Sequence, residues 1–86
     1  MEKTASREEL LTTIVRTISE SFEIDASRIQ VESLLYEDLD LDSIDAIDMA
    51  VKMQEITGRR VDERALRGLR TVGDVLNLSE RLLREA

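Results

Sequence analysis

Eighty-six residues carry 12 Lys and Arg against 19 Asp and Glu, a net charge of −7, with one Phe, one Tyr and neither Cys nor His. Such a chain repels a phosphate backbone and offers no aromatic platform for bases, so nucleic acid is excluded as a partner. It also lacks the means for disulfides, a thiolate nucleophile, Cys-ligated zinc and the commonest general base, and no apolar run approaches the ~20 residues of a membrane span.

Three Gly and no Pro favour helices throughout. The first predicted helix runs from about Arg7 to about Ser21. Ser6 followed by Glu9 is a capping box, and Leu10, Leu11, Ile14, Val15, Ile18 and Phe22 follow at helical spacing. From about Phe22 to Leu41 comes a connection far longer than the ~4–6 residues usual between elements. It is rich in apolar side chains, including Ile24, Ile29, Val31, Leu34, Leu35, Leu39 and Leu41, so it is expected to pack onto the helices, with a helical turn near Ser33 to Tyr36. The second helix begins around Asp42-Ser43 and closes at Thr57-Gly58. Ile44, Ile47, Met49, Ala50, Val51, Met53 and Ile56 cover a wide arc of it, and Asp45, Asp48, Lys52 and Glu55 share the remaining face. A short third helix is predicted from about Asp62 to Arg67, interrupted by Gly68. A fourth starts after Thr71, with Asp74 three residues on and Val72, Val75, Leu76, Leu78, Leu82 and Leu83 as its apolar stripe. The expected fold is all-α: a small four-helix bundle with three longer helices, one short third helix and a long loop between helices one and two, spanning residues 1–86 as a single domain. The polar start Met1-Glu2-Lys3-Thr4 carries no visible signal peptide, so the expected location is cytoplasmic.

Charge is segregated along the chain. Residues 37–57 hold seven acids and one base, a local −6, whereas residues 58–71 hold five Arg against Asp62 and Glu63, a local +3. Asp38, Asp40 and Asp42 alternate like the opening of a calcium loop. The match then fails, because Ser43 stands where the turn glycine is needed and Met49 where the bidentate Glu is needed, so no metal site is assigned. The acids of the second helix lie on the face expected to be wet. They therefore lack the desolvation that acid–base catalysis requires, and no catalytic residue is assigned. Ser43 has two readings. An arbitrary Ser before an apolar helical run usually serves only as a cap. A Ser at a helix start also presents its hydroxyl to solvent at the positive end of the helix dipole, a position that welcomes a phosphodiester.

The stretch Tyr36-Glu37-Asp38-Leu39-Asp40-Leu41-Asp42-Ser43-Ile44-Asp45-Ala46-Ile47-Asp48-Met49 resembles the modification site of acyl carrier proteins. Their signature is Asp-Ser-Leu or Asp-Ser-Ile at the start of helix two, followed by acids on one face. Helix order, length and charge extend the resemblance over nearly the whole chain. It implies that a phosphopantetheinyl transferase moves 4′-phosphopantetheine from coenzyme A onto Ser43, and that the arm's thiol carries acyl groups as thioesters. It further implies a monomeric, non-enzymatic carrier in fatty-acid, polyketide or related synthesis. The family's partner-recognition positions map to Asp42, Ile44, Asp45, Asp48, Val51 and Glu55, facing acyl-loading and acyl-processing enzymes with basic docking surfaces. Its acyl chamber lies between the helices. The family often has Gly two positions before the motif's Asp, where this chain has Asp40, so the turn must form without glycine's freedom at positive φ. Peptidyl carriers tend to show Gly-Gly before the serine; its absence here implies acyl rather than aminoacyl cargo. The competing reading is a small acidic helical adaptor that binds a basic partner and is never modified.

Overall fold

Ser6 opens the first helix as its sequence predicts: its hydroxyl accepts from Glu9 N at 3.1 Å, and Glu9 Oε1 accepts from Ser6 N at 3.3 Å. The computed structural model describes residues 6–84; the polar N-terminal stretch read above lies outside the described residues. Helix α1 spans Arg7–Phe22. It ends on Glu23, held at φ 57° in the left-handed region usually given to glycine, where Glu23 N and Ile24 N both donate to Ser19 O. Helix α2 spans Ser43–Thr57, and Gly58 at φ 71° closes it by donating its N–H to Gln54 O at 2.7 Å. Helix α3 is the five residues Glu63–Arg67, with the Asp62 carboxylate accepting from Ala65 N at 2.9 Å. Helix α4 spans Val72–Arg84. Thr71 Oγ1 accepts from Asp74 N, and Asp74 Oδ2 accepts from Thr71 N, both at 3.1 Å, which completes a second reciprocal cap. This is the predicted all-α bundle of three longer helices and one short one.

Side chains spaced three and four apart bring the apolar stripes together. Leu10, Ile14 and Ile18 of α1, Met49 and Met53 of α2, and Val72, Val75, Leu76 and Leu78 of α4 are buried in one core. Arg7 ties the start of α1 to α4, with Nη1 2.6 Å from Glu80 Oε1 and Nη2 donating to Asn77 Oδ1 at 3.0 Å. Ser79 is fully buried on α4 and its hydroxyl has no hydrogen-bond partner. An unmade buried hydrogen bond is costly, so Ser79→Ala is expected to stabilise the fold by about 1 kcal/mol. A urea melt checks this, and a lower midpoint for the variant would contradict it.

The long connection is ordered and packed, with Ile29, Leu35, Leu39 and Leu41 buried. Its regular turn differs from the one predicted. A single 3₁₀ turn forms at Ala26–Arg28, nucleated by Asp25, whose carboxylate accepts from Ser27 N at 3.0 Å and from Ser27 Oγ at 2.9 Å. Those two bonds hold the Asp25 carboxyl below its ordinary pKa. Near the predicted site, Leu34 O instead accepts from both Asp38 N and Leu39 N, a turn that goes no further because neighbouring donors are used elsewhere. Leu34 N donates to Asp38 Oδ2 at 2.8 Å, and Leu35 N donates to Arg70 O at 2.8 Å. Two more backbone bonds, Val72 N to Ser33 O at 3.0 Å and Gly73 N to Val31 O at 2.8 Å, stitch the loop to the start of α4. The loop therefore rests on a fixed base and delivers residue 43 to a defined place.

Candidate functional site at the head of helix α2

The approach to α2 alternates Leu39, Leu41 inward with Asp38, Asp40, Asp42 outward. Both leucines are buried, and Leu41 N donates to Leu35 O at 3.1 Å, so the backbone is pinned immediately before the helix. Asp42 then caps α2. Its Oδ1 accepts from Ile44 N at 3.0 Å and Asp45 N at 2.9 Å, while Asp45 Oδ2 accepts from Asp42 N at 3.1 Å. Two of the three alternating aspartates are thus engaged with backbone N–H groups, Asp42 here and Asp38 on Leu34.

Ser43 is the first residue of α2. It is exposed, and its hydroxyl makes no hydrogen bond. The positive helix end anticipated from sequence is largely taken up by the Asp42 carboxylate; of the first-turn donors, only Ser43 N–H remains without an acceptor. The setting distinguishes Ser43 from Ser33, whose hydroxyl accepts from Gln30 N and donates to Arg28 O, and from the buried Ser79. A phosphodiester on Ser43 would keep its charge in water. At Ser33 or Ser79 it would be desolvated without partners.

Asp40, the position flagged by its missing glycine, adopts φ 57°. Its exposed side chain makes no hydrogen bond, so nothing in the fold repays the left-handed conformation. Asp40→Gly relieves that strain and removes a charge from the acidic cluster, against the extra chain entropy of glycine in the unfolded state. The expected result is no change or a gain of roughly 0.5 kcal/mol in a denaturant melt; a loss above about 1 kcal/mol would mean that Asp40 makes a native interaction such as an Asx-turn.

Two faces of α2 differ in their surroundings. Its outer face exposes Ile44 (74%), Ile47 (61%) and Val51 (43%) in one apolar stripe at spacings of three and four, with Asp48 and Glu55 exposed on the same side. Sequence reasoning placed Ile47 in the same wide apolar arc as Ile44 and Val51 but did not name it beside them as a partner contact, although its offsets of three and four place it on their stripe. Asp45 and Lys52, grouped with the wet face from sequence, are half-buried, and Asp45 belongs to the cap. The inner face carries Met49 and Ala46 into a narrow apolar cleft, shared with Leu35, Tyr36 and Leu41 of the loop and Leu66 and Leu69 around α3. Its free space is about 10 Å³. Arg64 lines an open groove between α3 and α4 together with Arg81.

Residues 12–79 match the family model described as "Phosphopantetheine attachment site". Over 75 residues the chain is 48% identical to acyl carrier protein 2 of Ralstonia nicotianae, covering 87% of this chain and 93% of that protein. It is 35% identical over 79 residues to the acyl carrier protein of Thermotoga maritima, covering 92% and 98%. The crystal structure of the acyl carrier protein from Thermotoga maritima superposes with a TM-score of 0.79 at 25% identity over 92% of each chain.

Proposed function

Since the chain belongs to the acyl carrier proteins of the phosphopantetheine-attachment family, we propose that Ser43 is the residue that receives its covalent 4′-phosphopantetheine group. One observation carries this assignment: an exposed, unpartnered hydroxyl stands at the first residue of α2, on a backbone pinned by buried Leu39 and Leu41. The bound group supplies a terminal thiol that holds acyl chains as thioesters. The chain's own residues position the attachment point, present a docking face and offer apolar shelter. Ile44, Ile47 and Val51 form the apolar part of the docking face, and Asp48 and Glu55 its charged part. Asp42 and Asp45 act on partners mainly by holding the helix end in place. Synthesis enzymes and a phosphopantetheinyl transferase are the partners, and on this reading they meet the acidic face with Lys and Arg.

The same reading makes residues 1–86 one carrier domain that works in the cytoplasm and catalyses no reaction itself. With a net charge of −7, a second copy is repelled, which favours a monomer. Its setting is fatty-acid, polyketide or related specialised-lipid synthesis. The unmodified-adaptor reading is not favoured, because an adaptor has no use for the exposed serine that the family's attachment chemistry requires.

Incubation with coenzyme A and a promiscuous phosphopantetheinyl transferase, followed by intact-mass measurement, tests the assignment. Wild type is expected to gain one phosphopantetheinyl mass. Ser43→Ala is expected to gain none while keeping its helical circular dichroism, because Ser43 Oγ makes no contact that the fold uses. Loading of the alanine variant would sink the proposal.

A further inference from the structure

We propose that Tyr36 is the gate of the apolar cleft: its ring is the wall that swings aside when an acyl chain leaves water and enters between α2 and α3. The inference rests on the reading that Ser43 bears the arm.

The cleft as it stands has about 10 Å³ of free space, no more than about one water-sized sphere. A chain of several methylenes enters only if a wall moves. Leu35, Leu41, Met49 and Leu69 are buried in the common core, so displacing any of them forfeits packing elsewhere. Tyr36 is different. It is 46% exposed, and its phenol makes no hydrogen bond. It also lines two cavities at once: the inner cleft, and an outer groove formed with Leu34, Glu37 and Arg70. Its side chain is therefore the partition between apolar interior and solvent.

The backbone beneath that side chain is fixed. Leu34 N is bound to Asp38 Oδ2, Leu35 N to Arg70 O, and Asp38 N to Leu34 O. Opening at this point is thus a side-chain rotation rather than a loop movement, and rotations of exposed side chains are fast. The step makes and breaks no covalent bond. The competing opening is displacement of α3, whose five residues are too few to hold a helix on their own and whose Leu66 is half-buried in the cleft wall. The two openings move different side chains.

The test compares the chain loaded from octanoyl-coenzyme A with the chain loaded from coenzyme A, both by a promiscuous transferase. Tyr36 is the only Tyr and there is no Trp, so tyrosine fluorescence and the tyrosine ring NMR signals, distinct from those of Phe22, report on it alone. Met49 and Leu66 methyl signals report on the interior and on α3. The expected result is a shift of the Tyr36 ring and the Met49 methyl on octanoylation, with Leu66 little changed. Tyr36→Ala is expected to speed exchange of the chain between exposed and sheltered positions by about tenfold, and Tyr36→Phe, which keeps the ring, to leave it close to wild type. Met49 and Leu66 shifting with Tyr36 unmoved overturns the gate alone, as does wild-type exchange in Tyr36→Ala. An unshifted Met49 in a chain that carries the octanoyl mass overturns the cleft as host, and the gate with it, while leaving Ser43 standing. A wild-type chain that takes no arm overturns both readings, and intact mass shows that separately.

Discussion

Reversal of Asp45, Asp48 and Glu55 to Lys is expected to slow loading by a basic-faced phosphopantetheinyl transferase by about 10- to 100-fold at low salt. Each reversal changes the charge by two, so three of them take the net charge from −7 to −1. A single exposed pair is worth only about 0.2–1 kcal/mol, and single reversals are accordingly expected to do little. The large effect comes from the summed field that steers encounter, and raising the ionic strength should narrow the gap between variant and wild type as the Debye length shrinks to roughly 8 Å near 0.15 M. One of the three residues does more than steer. Asp45 Oδ2 accepts from Asp42 N in the cap of α2, so Asp45→Lys also weakens the helix start by about 1 kcal/mol. Asp48→Lys with Glu55→Lys isolates the docking contribution, since both side chains are exposed and hold nothing in the fold. Loading rates of this pair, measured at two salt concentrations beside a melting curve, separate steering from stability. Rates that match wild type at low salt would count against this face.

Gly73→Val is expected to cost about 2 kcal/mol of stability. Alanine within a helix normally improves on glycine by up to ~1 kcal/mol. Gly73 departs from that rule because the loop crosses it closely: a Cβ there would stand 2.9 Å from Val31 Cγ1 and 3.3 Å from Val31 O. The half-exposed Val31 side chain can shift to admit a single methyl, so Gly73→Ala is expected to lie near neutral. Its carbonyl cannot shift without losing the 2.8 Å bond from Gly73 N, and valine adds two more carbons to a Cβ that already stands 3.3 Å from that carbonyl and 3.5 Å from Thr71 Oγ1. Denaturant midpoints of the two variants check the argument. A valine variant as stable as wild type would mean that the stitch between loop and α4 is loose in solution.

What could be read from the sequence is what local chemistry encodes. The caps Ser6–Glu9 and Thr71–Asp74 each lie within one helical turn, so the starts of α1 and α4 were legible to the residue, whereas α2 was placed only around Asp42-Ser43, because Asp45 was grouped with the wet face and not with its cap. The exposed serine at the head of α2 was legible for the same reason. The missing glycine drew attention to Asp40, which adopts the left-handed conformation without glycine's freedom, whereas nothing in the sequence marked the same conformation at Glu23. The seat of the long loop was not legible. It depends on backbone bonds between Val31, Ser33 and Leu35 on one side and Arg70, Val72 and Gly73 on the other, and backbone groups leave no pattern in side-chain identity. The exposed apolar stripe of α2 was only partly legible. Apolar residues surround much of α2, and which of them face water depends on where the other helices pack.

If Ser43, and no other residue, bears the prosthetic group, fragmentation of one peptide from the transferase-treated chain shows it. Cleavage after Arg28 and Lys52 releases residues 29–52, which contain Ser33 and Ser43 together. Ser33 is 9% exposed with its hydroxyl bonded, and Ser43 is exposed with its hydroxyl free, so the peptide carries its own control. The expected result is phosphopantetheinyl mass on every fragment that contains Ser43 and on none that contains Ser33 alone. Mass on Ser33, mass on a peptide outside residues 29–52, or an unmodified chain would contradict it.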